Sequence, residues 1–289
     1  MYFQTGGKMN KVQHIAERKA FETVLKKIVR KGKNESASEM AEAIIKIMKG
    51  IMGNSWKDSS YNLFQDIADN PDSKWARYVD RLINEVDPDI ITTFLTNAAY
   101  EGGFRGFKTT EEMAEKYDCN VPWLILMDPT SACNLHCIGC WASEYSRQLN
   151  LSFEDMDKIV SEGKALGTHL YMLTGGEPMV RKKDVLRLCE KHDDCFFAAY
   201  TNSTLIDDDL CQQVVKLGNL TFMLSIEGTP ETNDARRGDG HYAAVLKAMD
   251  LLQKYGIIYG TSVCYTRDNI EAVTSDEFLN LLAEKGAHF

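Results

Sequence analysis

From Trp123 onward, five short apolar runs recur along the chain, Trp123–Met127, Leu170–Leu173, Phe196–Tyr200, Leu220–Leu224 and Ile257–Val263, with a helical pattern after each. Continuous apolar runs of this length, bounded by turn residues, read as strands buried on both faces. The helical stretches stop on Gly167, Gly218, Gly256 and Gly286, where a left-handed residue turns the chain out of a helix. Their starts are marked by Ser152 with Asp155, by Asp207, and by Thr229 followed by Pro230. Repeated βα units of this kind predict an α/β fold with a parallel sheet and right-handed crossovers. The chain stops at Ala287-His288-Phe289, where a sixth strand is expected. The α/β domain is therefore expected to be incomplete at its C-terminus, with an open sheet edge.

Before Asp118 the rhythm is helical. Val12 to Lys31 and Ala37 to Met52 carry apolar stripes at helical spacing. A third helix is expected to open at Pro71 and Ser73, and a fourth at Asp87-Pro88. The glycine-rich stretch Glu101 to Phe107 (EGGFRGF) predicts a loop. Thr109 and Glu112 have capping-box spacing for one last short helix before a linker at Asn120-Val121-Pro122. The expected division is a helical accessory domain over 1–118 and an α/β domain over 119–289.

The formal net charge of -9 argues against non-specific nucleic-acid binding, which needs a basic surface. No apolar run approaches membrane-spanning length. Eight cysteines in a large chain that shows no secretory signal are not the pattern of a small disulfide-stapled domain. The thiols are expected to be reduced and the chain cytoplasmic.

Three of those cysteines, Cys133, Cys137 and Cys140, stand in a CxxxCxxC triplet just past the first strand. Thiolates are soft donors that suit iron–sulfur clusters, and a four-iron cluster held by three of them keeps one iron open to a ligand. Zinc is the alternative; it needs a fourth ligand, and His136 abuts Cys137 too closely to close a tetrahedron with all three. Past the second strand lies Gly175-Gly176-Glu177-Pro178. Triplet and GGEP together resemble the radical S-adenosylmethionine (SAM) enzymes, over roughly residues 119 to 289.

The resemblance implies a partial parallel (β/α) barrel, a four-iron four-sulfur cluster on Cys133, Cys137 and Cys140, and SAM on the open iron. It further implies reductive cleavage of SAM to a 5′-deoxyadenosyl radical that takes a hydrogen atom from the substrate, with a flavodoxin or ferredoxin as electron donor. A non-catalytic iron–sulfur or zinc module for interaction or electron transfer is the alternative. By the same resemblance, Gly175, Gly176, Glu177 and Pro178 meet the SAM ammonium group. Asn202 after the third strand and Ser225 and Glu227 at the end of the fourth face SAM or substrate. Arg237, matched through Gly238, pairs with the SAM carboxylate, with Arg236 as fallback; a guanidinium fork suits a carboxylate. The family often places an aromatic residue just before the third cysteine, where this chain has Gly139, and Trp141 is expected to supply apolar cover from the other side. Cys264, at the end of the fifth strand, is the candidate hydrogen donor to a substrate radical. The substrate, a peptide or protein or a small molecule, is not written in the sequence.

Overall fold

The computed structural model describes residues 11–32, 35–52, 61–144 and 148–289. By internal contacts the chain divides into units 1–84 and 85–289. Residues 85–117 thus pack with the sheet, whereas the sequence rhythm changes only at 118/119. The first unit holds α1 (Lys11–Gly32), α2 (Ala37–Met52), α3 (Asn62–Asp69) and most of α4 (Lys74–Glu85). Ala37, Ala41, Ile67, Ala68 and Ala76 form a buried cluster within it. Small residues at these positions let the helices approach closely, and Asp80 Oδ1 accepts from the Ala37 amide at 2.8 Å. The α3 helix has no counterpart in the sequence expectations.

The second unit is built on five parallel strands in the order β1 (Leu124–Thr130), β2 (Leu170–Gly175), β3 (Phe196–Thr201), β4 (Leu220–Ser225) and β5 (Tyr259–Ser262). The parallel α/β sheet expected from the βα rhythm is present. β1 runs on to Thr130 through a register shift between Met127 and Thr130, and Pro129 sits inside that irregularity on an edge strand. A residue without an N–H is tolerated at such a place. β5 is shorter than the apolar run Ile257–Val263. Beyond it, the His288 amide donates to the Tyr259 carbonyl at 2.9 Å and the Thr261 amide to the Phe289 carbonyl at 2.8 Å. The last residues therefore begin pairing along β5 where a sixth strand is expected.

The crossover helices are α7 (Phe153–Leu166), α8 (Lys182–Lys191), α9 (Asp208–Leu217), α10 (Pro230–Arg237) and α11 (His241–Lys254), followed by α12 (Ile270–Val273) and α13 (Asp276–Glu284). The expected caps form: Ser152 and Asp155 close a capping box on α7, Asp207 caps α9, and Thr229 caps α10 ahead of Pro230. Tyr171, Leu173, Phe197, Phe222 and Leu224 are fully buried on the helix-covered face, with the Tyr171 hydroxyl donating to the Val160 and Thr168 carbonyls.

Two local expectations fail at EGGFRGF. The segment is no loop: α5 (Pro88–Phe94) passes into a π-helix over Leu95–Gly106 and then into α6 (Phe107–Tyr117). Its glycines serve close packing. A Cβ on Gly106 would lie 2.2 Å from the Gly167 carbonyl oxygen, and one on Gly102 would press on Leu170 at 3.3 Å. Phe94 packs edge-on against Phe196 with 4.8 Å between ring centroids. By strand alternation Leu170 and Phe196 lie on the face opposite Tyr171 and Phe197, so this continuous helical run covers the amino-terminal part of that second face. Thr109 and Glu112 form no capping box, because Thr109 lies inside the helix and donates to the Arg105 carbonyl at 3.1 Å.

Candidate active site

The loop after β1 carries the three cysteines and is tied down by every neighbouring strand end. Its return limb pairs with the end of β1: the Ser131 amide donates to the Leu149 carbonyl at 2.8 Å, and the Leu151 amide to the Pro129 carbonyl at 3.2 Å. From β2, the Gly176 amide reaches the Thr130 carbonyl at 2.9 Å and the Glu177 amide the Ala132 carbonyl at 2.8 Å. A Cβ on Gly176 would lie 2.2 Å from the Ala132 oxygen, so this close seam demands glycine. From β3, Asn202 Nδ2 donates to Asn134 Oδ1 at 2.8 Å and points to Cys133 Sγ at 3.8 Å. From α10, the Arg236 carbonyl accepts from the Ile138 amide at 2.8 Å, and Arg237 Nη1 points to Cys137 Sγ at 3.9 Å. All three thiols are half-buried. Gly139 has φ of 68° with open space around its missing side chain. Conformation, not crowding, is what favours glycine over an aromatic residue there.

Two carboxylates organise these loops. Glu177 is 1% exposed; Oε1 accepts from the Met179 amide at 3.0 Å and the Thr201 hydroxyl at 2.8 Å, and Oε2 from the Asn202 amide at 2.7 Å. Burial pushes its carboxyl above the usual range, against the pull of those donors. Pro178 is buried at the start of a 3₁₀ turn, Pro178–Arg181. Glu227 is fully buried; Oε1 accepts from Arg236 Nη1 at 2.8 Å and from Arg237 Nε at 2.9 Å and Nη2 at 2.5 Å. Its Oε2 accepts from the Cys264 amide at 2.8 Å. In this structure the Glu177 and Glu227 carboxylates face the protein's own donors, and the Arg237 fork closes on Glu227. Ser225 ends β4 opposite Ser262, half-buried. The Cys264 thiol is exposed.

A relay of buried groups joins the Glu227 backbone to the Glu177 carboxylate. The Glu227 amide donates to Asn233 Oδ1 at 3.1 Å, and Asn233 Nδ2 meets His241 Nδ1 at 3.0 Å. His241 Nε2 meets the Asn202 carbonyl at 3.0 Å, and the Asn202 amide closes the path on Glu177. A carbonyl only accepts, so Nε2 carries the proton and Nδ1 accepts from Asn233. Burial, with Arg237 nearby, lowers the His241 pKa to about 4, which keeps the ring neutral. Asn233 and His241 have no place among the sequence candidates; the only local signal is the Gly238-Asp239-Gly240-His241 turn after Arg237, which gives no hint of reach to β3.

A cysteine loop beyond the first strand, seamed to a glycine turn beyond the second on an open parallel α/β sheet, defines a radical SAM site on a partial-barrel fold. The family model described as Radical SAM superfamily matches residues 127–283, and the chain belongs to that superfamily. The mycofactocin maturase MftC of Mycolicibacterium smegmatis is 29% identical over 175 residues, 58% of this chain and 43% of that protein. The Fe-coproporphyrin III synthase of Methanosarcina barkeri is 28% identical over 167 residues, 56% of this chain and 41% of that protein. The chain thus spans less than half the length of these curated relatives. Structures of Streptococcus suis SuiB, bound to its precursor peptide SuiA or to S-adenosylmethionine, align with a TM-score of 0.54. Identity is 18% and 17%, coverage is 73% of this chain, and 54% and 53% of SuiB is matched, a likeness of fold.

The family's cofactors are a four-iron four-sulfur cluster and SAM, and the donor set here fits them. Burial, with Glu177 and Cys137 nearby, pushes the Cys133 thiol up, an electrostatic cost that bound iron would offset. N–H groups of Leu135, Asn202 and Arg237 already face Cys133 and Cys137 sulfur, the arrangement that stabilises cluster thiolates.

Proposed function

We propose that the chain is the catalytic domain of a radical SAM enzyme, carried above all by the convergence of four strand-end segments on one cysteine loop. Cys133, Cys137 and Cys140 would hold the three ligated irons, and Gly175, Gly176 and the Glu177 backbone would line the SAM methionyl group with Ser225. When bound, the cluster and SAM supply the one-electron cleavage that yields methionine and a 5′-deoxyadenosyl radical able to take a substrate hydrogen. The protein's part is placement. Asn202 holds Cys133 and Asn134 together, Glu177 fixes the β3 loop under them, and Glu227 fixes Arg236 and Arg237 against the Cys137 side. The Arg237 N–H groups not engaged by Glu227 remain available to a carboxylate. Cys264, exposed at the end of β5 with its amide fixed by Glu227, is the candidate hydrogen donor to a substrate radical.

SuiB, the fold neighbour bound to a precursor peptide, makes a peptide substrate the leading reading, with a small molecule the other. The electron would come from a flavodoxin or ferredoxin. Among the described residues no helix is long and apolar enough to cross a membrane. We read a cytoplasmic place from the use of SAM and from cysteines that form no disulfides among the described residues.

The test is anaerobic reconstitution, reduction and assay for 5′-deoxyadenosine. About four irons and four sulfides per chain and SAM-dependent 5′-deoxyadenosine are expected. Cys137→Ala should abolish product while leaving the circular dichroism melt intact. One zinc per chain, or a variant that unfolds outright, contradicts the reading and favours a binding module.

A further inference from the structure

Beside the cysteine loop lies a cavity of about 440 Å³, bounded by Asp128, Ser131, Trp141, Leu149, Leu151 and Gly175 among others. Its walls are apolar, with Trp141 57% and Leu149 60% exposed, and Asp128 is the one ionisable group among the described residues lining it. Among the described residues, Asp128 Oδ1 is buried without a hydrogen-bond partner. A buried, unpartnered carboxylate oxygen is costly, so a native structure that keeps one calls for an explanation. Burial accordingly pushes the Asp128 carboxyl up.

The backbone is shaped for this placement. The register shift of β1 falls at Met127/Thr130, and such irregularities re-aim side chains beside functional sites. Gly175, with φ of 100°, makes room: a Cβ there would lie 2.9 Å from Asp128 Cβ. Arg181 braces the wall by donating to the Pro129 and Leu151 carbonyls at 3.0 and 2.7 Å, and its own charge is answered by Asp184. What remains is an apolar cleft with one half-buried acid at its base, not paired with any cation among the described residues, and an indole on its rim.

We propose that this cavity receives a basic side chain of the substrate, an ammonium or guanidinium on an apolar stem, with Asp128 pairing the cation and Trp141, Leu149 and Leu151 packing the stem. A cation near Asp128 offsets its desolvation, and an indole face adds attraction for the same charge. As a substrate subsite the proposal rests on the radical SAM reading; as a cation pocket it does not.

The test is a ligand-observed magnetic resonance titration of the reconstituted protein with three probes: the N-acetyl N-methylamides of lysine, norleucine and glutamate. The lysine probe is expected to bind at least about tenfold more tightly than the norleucine probe. Asp128→Asn should erase that difference while leaving norleucine binding unchanged, and Trp141→Ala should weaken both. Equal binding of lysine and norleucine by the unaltered protein, tighter binding of glutamate, or no binding of any probe overturns the proposal, and none of these needs the variant to fold. The titration requires no turnover. Absence of SAM cleavage with lysine selectivity intact would therefore sink the enzymatic reading alone.

Discussion

Both ends of the parallel sheet are lined with buried hydrogen-bonding groups, but the two ends use them differently. At the amino ends, side chains finish largely on backbone carbonyls of nearby turns. Asn219 Nδ2 reaches the Cys189, His192 and Cys195 carbonyls at 3.0, 3.1 and 3.2 Å, and Asn97 Nδ2 the Asp193 and Cys195 carbonyls at 2.7 and 2.9 Å. His169, Asp194 and Cys195, whose potential ligand atoms lie within 4.8 Å of one another, are also engaged within the fold. His169 Nδ1 meets the Asp194 carbonyl at 3.0 Å, and Asp194 pairs with Lys164 at 2.6 Å. Burial pushes the Cys195 thiol far up, which keeps it protonated and a poor ligand. At the carboxyl ends, the carboxylates of Glu177 and Glu227 instead bind groups from neighbouring loops, and the network finishes on thiols. One end closes the fold; the other assembles a site from separate strands.

The difference can be broken at Glu227 first. Glu227→Ala leaves two largely buried guanidinium groups without their acid and should cost about 3 kcal/mol or more in a denaturant titration. It should also weaken SAM binding sharply. The next effect concerns pH. The unfolded chain protonates a histidine near 6.5 whereas His241 in the fold resists protonation to about 4, so the unfolded state binds more protons in that window. Stability should therefore fall as pH drops from about 6.5 to about 4, by roughly 2–3 kcal/mol. His241→Gln should flatten that stretch of the pH–stability curve.

At the opposite end, Asn219→Ala removes a donor shared by three carbonyls and should cost about 2 kcal/mol, read as a lowered denaturation midpoint. SAM affinity should stay unchanged, and a large loss of affinity would erase the contrast between the two ends. The smallest effect is expected at Gly139, where φ of 68° and open space predict about 1 kcal/mol for Gly139→Ala, seen as a small drop in melting temperature.

The sequence made the strands and caps legible because they are local. Apolar runs set β1 to β5, and Ser152, Asp207 and Thr229 bond within their own helices. The π-helix was hidden because Gly102 and Gly106 are small for the sake of Leu170 and Gly167, far along the chain. For the site, the cysteine triplet and GGEP stand out by spacing, and the structure brings them to adjoining loops. The intraprotein partners of Glu177, Glu227 and Arg237 could not be read, because only the folded sheet brings them together. His241 escaped altogether, since its partners Asn202 and Asn233 come from different βα units.

The central claim is that the cysteine loop holds a cluster with one iron open to SAM. The most direct measurement is the electron paramagnetic resonance spectrum of the anaerobically reconstituted, reduced protein with and without SAM. A four-iron signal that shifts on SAM addition is the predicted result; a signal indifferent to SAM, or no four-iron signal at all, would contradict it.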